Sequence, residues 1–534
     1  MADKRILLGD EAVAQAALDA GIRSALSYPG TPATEIFEYI QRNAPDTVHA
    51  RWSPNEKVAF EEAIGVSYTG QRAIVSMKHV GLNVAADPFM NAALCEINGG
   101  LVLAVADDPG MHSSQNEQDS RFYADFAGIP CLEPATQQEC YDMTRAAFEI
   151  SEAYHIPVMI RLVTRLSHSR SQVKPAPAQK QNALQVKRNP AKWILAPGTS
   201  PALQKELLEK NKTLREASQT TQFNRIDDQN ADNRIVIVAS GVGYNYAREA
   251  CRLLDVIVPV CKIGCYPFSP QRITAACKKF DTVLVIEDGY PFIERDMCHL
   301  LPEGKKIEGK LSGRIPATGE LNPGLIARAL AHLSGKTWEE PQPPDLPLSL
   351  PKRPPSFCQG CSHRDIYTAL QEALQQVEAP AVFGDIGCYT LGYLPPFSLI
   401  ETVVNMGASI SMAKGAADAG LKHAVAIIGD STFLHTGMNS LLAAAASNSP
   451  ITVIICNNST TGMTGGQPLH ADGEKLKNLV TALGVEPGHV RSLTALPKTV
   501  PEMKNIIAEE LAYTGTSVCI FSRECIQTMK RKHT

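Results

Sequence analysis

Two apolar runs near the end of the chain, each closing on a polar turn, constrain the fold most. The first is Ala424-Val425-Ala426-Ile427-Ile428-Gly429-Asp430-Ser431-Thr432-Phe433, and the second is Ile451-Thr452-Val453-Ile454-Ile455-Cys456-Asn457-Asn458. Asp430 and Asn458 stand 28 residues apart, the length of one β-α-β crossover. Both turns are therefore expected at the carboxyl ends of neighbouring parallel strands, where open α/β sheets collect their ligands. An Asp carboxylate and an Asn amide oxygen are hard donors suited to Mg²⁺, which commonly also takes phosphate oxygens. The Gly429-Asp430-Ser431-Thr432 turn opens a helix and can offer backbone N–H groups and the positive dipole end to a phosphate. The plain alternative is two strand ends with turn-forming Asp and Asn, as any α/β domain carries.

The same alternation runs through the rest of the chain. Strands are expected at Ser24–Tyr28, Ala73–Met77, Gly100–Val105 and Pro157–Val163, then at Arg234–Gly241, Val256–Val260, Thr282–Ile286 and Ser517–Phe521. Helix-sized intervals separate them, which predicts mainly parallel sheets with helices on both faces. Residues 169–233 turn polar around one expected helix near Pro201–Ser218, and residues 340–355 are proline-rich. The reading is five segments: an α/β domain over 1–170, a linker over 171–233, a second α/β unit over 234–338, a Pro-rich linker over 339–355 and a last α/β domain over 356–534.

Composition narrows the function classes. Lys plus Arg is 51 and Asp plus Glu is 55, for a net charge of −4, so no broad cationic field is available for nucleic acid or an anionic membrane. No run of roughly 18 apolar residues is present, and the N-terminus lacks a signal peptide, so no membrane span is expected. Fourteen cysteines without an export signal point to the reducing cytoplasm, where clustered cysteines hold metal more often than they form disulfides.

Gly-Asp-Ser followed by Asn-Asn is the thiamine-pyrophosphate signature, and other segments narrow the resemblance. Ser27-Tyr28-Pro29-Gly30-Thr31-Pro32 is similar to the Tyr-Pro-x-Thr-Pro segment of the 2-oxoacid:ferredoxin oxidoreductases. Phe357-Cys358-Gln359-Gly360-Cys361-Ser362-His363-Arg364, Gly384-Asp385-Ile386-Gly387-Cys388-Tyr389 and Thr460-Thr461-Gly462-Met463-Thr464-Gly465 resemble the large subunits of indolepyruvate:ferredoxin oxidoreductases. The resemblance covers roughly 1–170, 234–335 and 355–527. It implies doubly wound parallel-sheet domains of the thiamine-diphosphate-binding fold: pyrimidine-binding over 1–170, middle transketolase C-terminal-like over 234–338, diphosphate-binding over 356–534.

The family pattern makes Asp430, Asn458 and the carbonyl of Thr460 the Mg²⁺ ligands, with Gly429, Ser431, Thr432 and Gly462 also at the cofactor. Thiamine chemistry needs a buried carboxyl against the aminopyrimidine ring. Of Glu56, Glu61 and Glu62, the family spacing to Gly65 and Gly70 selects Glu56; the bland reading is a first-turn glutamate favoured by the helix dipole. Thr31 and His79 are further catalytic candidates, with a satisfied structural histidine as the alternative at His79. His435, on the helix after Asp430, is open to the same two readings. Glu287–Glu294 resembles a middle-domain segment whose expected job is domain contact. Ser240-Gly241-Val242-Gly243 lacks a full dinucleotide fingerprint, so no nucleotide is expected there.

Cys358 and Cys361 form one close pair, with Cys388 and Cys525 far downstream. Structural zinc sites usually present two close pairs, so this set suits a [4Fe–4S] cluster assembled by the tertiary fold. In related oxidoreductases the fourth ligand follows the final strand, which selects Cys525, with Cys519 and Cys456 as fallbacks. The other cysteines, including Cys95, Cys251 and Cys277, read as small hydrophobes.

What the resemblance implies is a thiamine-diphosphate-dependent oxidative decarboxylation of an indolepyruvate-like aryl 2-oxoacid to the acyl-CoA. Electrons pass through the [4Fe–4S] cluster to ferredoxin or another acceptor, and coenzyme A is cosubstrate. The implied partners are a small beta subunit and a ferredoxin or ferredoxin-like subunit, in a dimer of heterodimers. The alternative is a non-oxidative thiamine-dependent decarboxylase. The family's large subunit commonly continues into a ferredoxin-like domain with repeated Cys-x2-Cys-x2-Cys-x3-Cys-Pro runs. Here the sequence reaches Lys530-Arg531-Lys532-His533-Thr534 without one, so either a separate ferredoxin subunit is expected to take the electrons from the single cluster or the enzyme works with a different acceptor.

Overall fold

The computed structural model describes residues 4–186, 188–227, 234–298, 300–301, 304–341 and 354–532. Positions 228–233 of the expected linker and 342–353 of the Pro-rich stretch lie outside the described residues. The chain divides into two compact units, 1–344 and 345–534.

The first unit holds two large sheets. One has seven strands in the order Cys265–Tyr266, Cys131–Leu132, Val158–Val163, Leu101–Asp107, Ala73–Lys78, Ser24–Ser27 and His49–Trp52. All its pairings are parallel except the first, where Cys265–Tyr266 joins antiparallel as an edge strand. The other sheet orders Lys306–Glu308, Thr282–Ile286, Ile235–Ser240, Val260–Ile263 and Arg225–Asp227, the last antiparallel. Arg5–Leu8 pairs antiparallel with Arg170–Val173, so the two ends of the first α/β segment are stitched together.

The expected strands appear with ends shifted by a residue or two, apart from Val256–Val260. That strand instead runs Val260–Ile263, because Pro259 has no N–H to give a ladder and enters it only through its carbonyl, which accepts from Ile237 N at 3.0 Å. The expected linker helix forms at Ser200–Ala217. Glu287 does make the contact expected of its segment: its carboxylate pairs with Arg121 Nη1 at 2.8 Å. Arg121 is fully buried and also reaches Asp119 and the carbonyls of Asp288 and Tyr290.

The second unit is built on one five-stranded sheet, all parallel: Ala381–Phe383, Ala424–Gly429, Ile451–Asn457, Ser517–Ser522 and Val490–Thr494. Side chains alternate across it. Val425, Ile427, Ile454 and Phe521 enter one core with the helices Ser362–Leu374 and Val500–Ala512. Ala426, Ile428, Val453 and Ile520 enter another with Ala408–Asp418 and Met438–Ala446. Burial on both faces is why these strands read as unbroken apolar runs. No described helix is long and apolar enough to cross a membrane.

Candidate active site

In the second unit the register pairs Gly429 with Cys456, so Asp430 and Asn458 leave neighbouring strands at the same sheet edge. Asp430 is 2% exposed. Its Oδ2 accepts from Asn458 N at 2.9 Å and Ser459 N at 2.7 Å, and its Oδ1 from Ser431 N at 2.7 Å. Burial nevertheless pushes its carboxyl up to about 7 against those three amides. A carboxylate this deep is stabilised by a cation, and the neighbouring donors are hard oxygens. Asn458 and Thr460 are buried beside it, with Thr460 N donating to Asn458 Oδ1 at 3.2 Å. This donor set fits Mg²⁺.

The turn between them is tightly made. Ser459 takes φ +61°, Ser431 Oγ meets Thr461 Oγ1 at 2.9 Å, and Thr432 Oγ1 donates to the Ile386 carbonyl at 2.9 Å. Gly429 needs its missing side chain: a Cβ there would lie 2.5 Å from the Tyr389 ring. The helix that follows Asp430 widens into a π-turn over Phe433–Gly437, a local irregularity common at functional sites, and carries the buried His435.

The four thiols singled out by sequence converge in this unit. Gln527 Nε2 donates to Cys358 Sγ at 3.3 Å, and Arg523 donates to the Gly360 carbonyl at 3.0 Å, which ties the segment after the last strand to the Cys358–Cys361 turn. Cys525 N donates to the Asn458 carbonyl at 3.0 Å. A Cβ on Gly462 would lie 3.4 Å from Asn458 Nδ2 and 3.6 Å from Cys388 Sγ, so Cys388 stands beside the Asp430–Asn458 turns. Burial pushes the Cys388 thiol up to about 11, and the charges of Cys361, Cys525, Cys358 and Asp430 add to the rise.

Among the described residues, no three of these sulfurs lie within 4.8 Å of one another. Four thiolates on a single zinc, with bonds of roughly 2.3 Å, would stand about 3.8 Å apart. A cubane presents a separate iron to each thiolate, which sets the sulfurs farther apart than one zinc does. The fallback thiols Cys456 and Cys519 are sealed within strands of the sheet. Of the remaining cysteines, Cys298 departs from the packing expectation by being exposed.

The first unit carries the other expected residues. Glu56 opens the helix Glu56–Tyr68, capped by Asn55, and is 6% exposed. Glu61 is exposed and paired with Lys57, while Glu62, also exposed, accepts from Ser53 Oγ. The Glu56 side chain presses on bare backbone: a Cβ on Gly81 would lie 2.5 Å from its Oε1. Gly81 sits in the short helix His79–Val84, directly after the strand Ala73–Lys78. His79 is 1% exposed with both ring nitrogens unpartnered, and burial lowers its pKa.

Lys78 was not singled out by sequence. Its Nζ donates to the Ser113 carbonyl at 2.7 Å, burial pushes it down to about 8, and Ser113 Oγ in turn reaches the carbonyl of Thr31 at 3.2 Å. Thr31, Lys78, His79 and Gly81 thus gather around the end of one strand.

Comparison with known proteins agrees with this geometry. The family model for the thiamine-diphosphate-binding domain of pyruvate flavodoxin/ferredoxin oxidoreductases matches residues 15–235. The model for the C-terminal TPP-binding domain of thiamine pyrophosphate enzymes matches residues 385–519. Indolepyruvate oxidoreductase subunit IorA of Methanothermobacter thermautotrophicus is 36% identical over 98% of this chain and 87% of the relative. The IorA subunit of Archaeoglobus fulgidus is 35% identical over 98% and 86%. The chain belongs to the IorA family of indolepyruvate oxidoreductase subunits.

It is thus one subunit of a thiamine-diphosphate-dependent 2-oxoacid oxidoreductase. A solved 2-oxoglutarate:ferredoxin oxidoreductase from Magnetococcus marinus, holding 2-oxoglutarate, coenzyme A and succinyl-CoA, shares the fold. Its TM-score is 0.52 at 15% identity, over 62% of this chain and 65% of that one. Within the IorA-like second unit, sequence reasoning missed the residues that dress the thiols. Burial pushes the Cys361 thiol up; Arg523, paired with Asp365 at 2.8 Å, offsets a small part of that rise, and His363 Nδ1 lies 3.4 Å from Cys361 Sγ. No local pattern marks them, because Arg523 and Asp365 meet only through the fold.

Proposed function

We propose that the chain is the large subunit of an enzyme that oxidatively decarboxylates an indolepyruvate-like aryl 2-oxoacid to its acyl-CoA. The carrying observation is the buried Asp430 at paired strand ends, with Asn458 and Thr460 beside it and four convergent thiols next to that turn. The domain roles follow the five segments: 1–170 pyrimidine-binding, 171–233 linker, 234–338 middle, 339–355 linker and 356–534 diphosphate-binding.

Bound thiamine diphosphate supplies a nucleophilic carbon and an electron sink, and a [4Fe–4S] cluster accepts electrons singly. Asp430, Asn458 and the Thr460 carbonyl hold Mg²⁺, while Gly429, Ser431, Thr432 and Gly462 shape the cradle for the diphosphate. Cys358, Cys361, Cys388 and Cys525 hold the cluster. Glu56, buried against the bare backbone of Gly81, would be the carboxyl that stabilises the protonated aminopyrimidine needed to activate the thiazolium carbon. Lys78 supplies a partly desolvated cation and, with Thr31 and His79, binds and orients the acid.

A small beta subunit completes the enzyme in a dimer of heterodimers, ferredoxin or a ferredoxin-like protein takes the electrons, and the whole works in the cytoplasm. A non-oxidative decarboxylase has no use for four thiols gathered beside the diphosphate turn. Calorimetry on Asp430→Ala tests the reading: Mg²⁺-dependent binding of thiamine diphosphate is expected to vanish at concentrations that saturate the wild type. Unchanged affinity would refute it.

A further inference from the structure

A second group of ligating side chains lies in the first unit, apart from every residue used above. Asp10 sits in the first turn of the helix Gly9–Asp19, Glu35 in the first turn of Thr34–Asn43, and His168 closes the short helix Thr164–His168. One carboxylate oxygen from each acid and one ring nitrogen of His168 all lie within 4.8 Å of one another. Glu35 Oε2 stands 3.5 Å from His168 Nε2.

An independent observation points to a ligand. Asp10 is fully buried, and neither of its carboxylate oxygens makes a well-aligned hydrogen bond, the Ser167 hydroxyl being the donor that acts on it; Glu35 Oε2 has only its ion pair with His168. The charges that act on Asp10 are those of Glu35, Glu11 and His168, so two of the three are further anions. A protonated His168 neutralises one of the two clustered carboxylates, and the first-turn helix dipole offsets only part of the other. Burial pushes Asp10 up to about 8, more than the Ser167 hydroxyl and the His168 charge offset, which marks how poorly the site tolerates the bare anion.

We infer that Asp10, Glu35 and His168 bind one divalent first-row transition-metal ion. Two carboxylates and an imidazole suit Mn²⁺, Fe²⁺ or Zn²⁺ rather than a soft, thiolate-seeking ion. Three protein ligands leave at least one coordination position open. His168 lines an open depression of about 320 Å³ with Thr164, Arg165 and Glu320, so this ligand is open to solvent. The ligands come from three separate helix ends. A bound ion therefore clamps the first helix to the segment that runs into the strand Arg170–Val173.

The test uses the full chain, stripped with EDTA and free of thiamine diphosphate, titrated with Mn²⁺ and followed by loss of the free-ion EPR signal. Mn²⁺ is chosen because thiols compete poorly for it. The wild type is expected to bind one equivalent below about 1 mM and to gain thermal stability from it. Asp10→Asn and His168→Gln are expected to lose that equivalent, while Asp430→Asn keeps it. This last arm separates the inference from the proposed function, whose own test is cofactor binding. His168→Gln, at a half-exposed ligand, decides the matter if Asp10→Asn fails to fold. Equal Mn²⁺ binding in the wild type, Asp10→Asn and His168→Gln, or none below about 1 mM in the wild type, overturns the inference and leaves Asp10 as a buried acid that keeps its own proton.

Discussion

Gly81→Ala is a sharper test of Glu56 than replacing Glu56 itself, because it moves the carboxylate without changing its chemistry. The added Cβ would meet Glu56 Oε1 at 2.5 Å, Cγ at 2.7 Å and Cδ at 2.9 Å, where ordinary contact begins at 3.4 Å. The carboxylate must therefore retreat by about 0.9 Å. Misplacing a catalytic group by about 1 Å costs roughly 10²-fold, whereas removing its proton transfer altogether costs about 10²–10⁴-fold. Gly81 lies within a helix and is absent from the glycines with positive φ, so alanine adds no backbone strain. Helix propensity alone would make the substitution stabilising by about 0.5–1 kcal/mol, which separates any loss of function from loss of fold. The assay is hydrogen exchange at C2 of bound thiamine diphosphate, followed by NMR, with cofactor affinity measured by calorimetry. Gly81→Ala is expected to exchange about 10²-fold more slowly at undiminished affinity, and Glu56→Gln more slowly still. Glu56→Asp in the Gly81→Ala background shortens the side chain and should recover part of the loss. Exchange within about threefold of wild type in both Gly81→Ala and Glu56→Gln would refute the reasoning and send the search to Glu61 and Glu62.

Three further outcomes are expected. Ser at Cys358, Cys361, Cys388 or Cys525 should each abolish the broad iron–sulfur absorbance of anaerobically reconstituted protein, while Cys251→Ser should not; a wild type that takes up zinc and no iron would remove the oxidative mechanism. Lys78, pushed down to about 8 from 10.5, loses its proton earlier in the folded chain than in the unfolded one. Its contribution to stability therefore rises with pH between those values. A methyl-¹³C lysine resonance should titrate near 8 and be missing in Lys78→Arg, and lysine resonances that all titrate above about 9.5 would contradict this. Arg121→Met strands the buried Asp119 and Glu287, so chemical denaturation should show a loss of about 3–5 kcal/mol. A loss below about 1 kcal/mol would mean that the network is not what joins these segments.

What the amino-acid order determined by itself is local. Each strand of the second unit is buried on both faces, so it must be an unbroken apolar run, and one crossover has a narrow range of lengths. Those two facts place Asp430 and Asn458 at one sheet edge before any coordinates are known. Glu56 came from family spacing, and burial of Glu56 beside exposed Glu61 and Glu62 supports the choice.

Other features had no local signal. Cys265–Tyr266 crosses over as an edge strand of the seven-stranded sheet, and nothing in a two-residue strand announces its partner. The π-turn at Phe433–Gly437 inserts its extra residue into an otherwise ordinary helical pattern. Asp10, in the first turn of the helix Gly9–Asp19, meets Glu35 and His168 only after the fold returns the chain across most of the first segment. Periodicity reports which face of an element is buried; which distant side chains share a site depends on how the elements pack, and only the tertiary structure decides that.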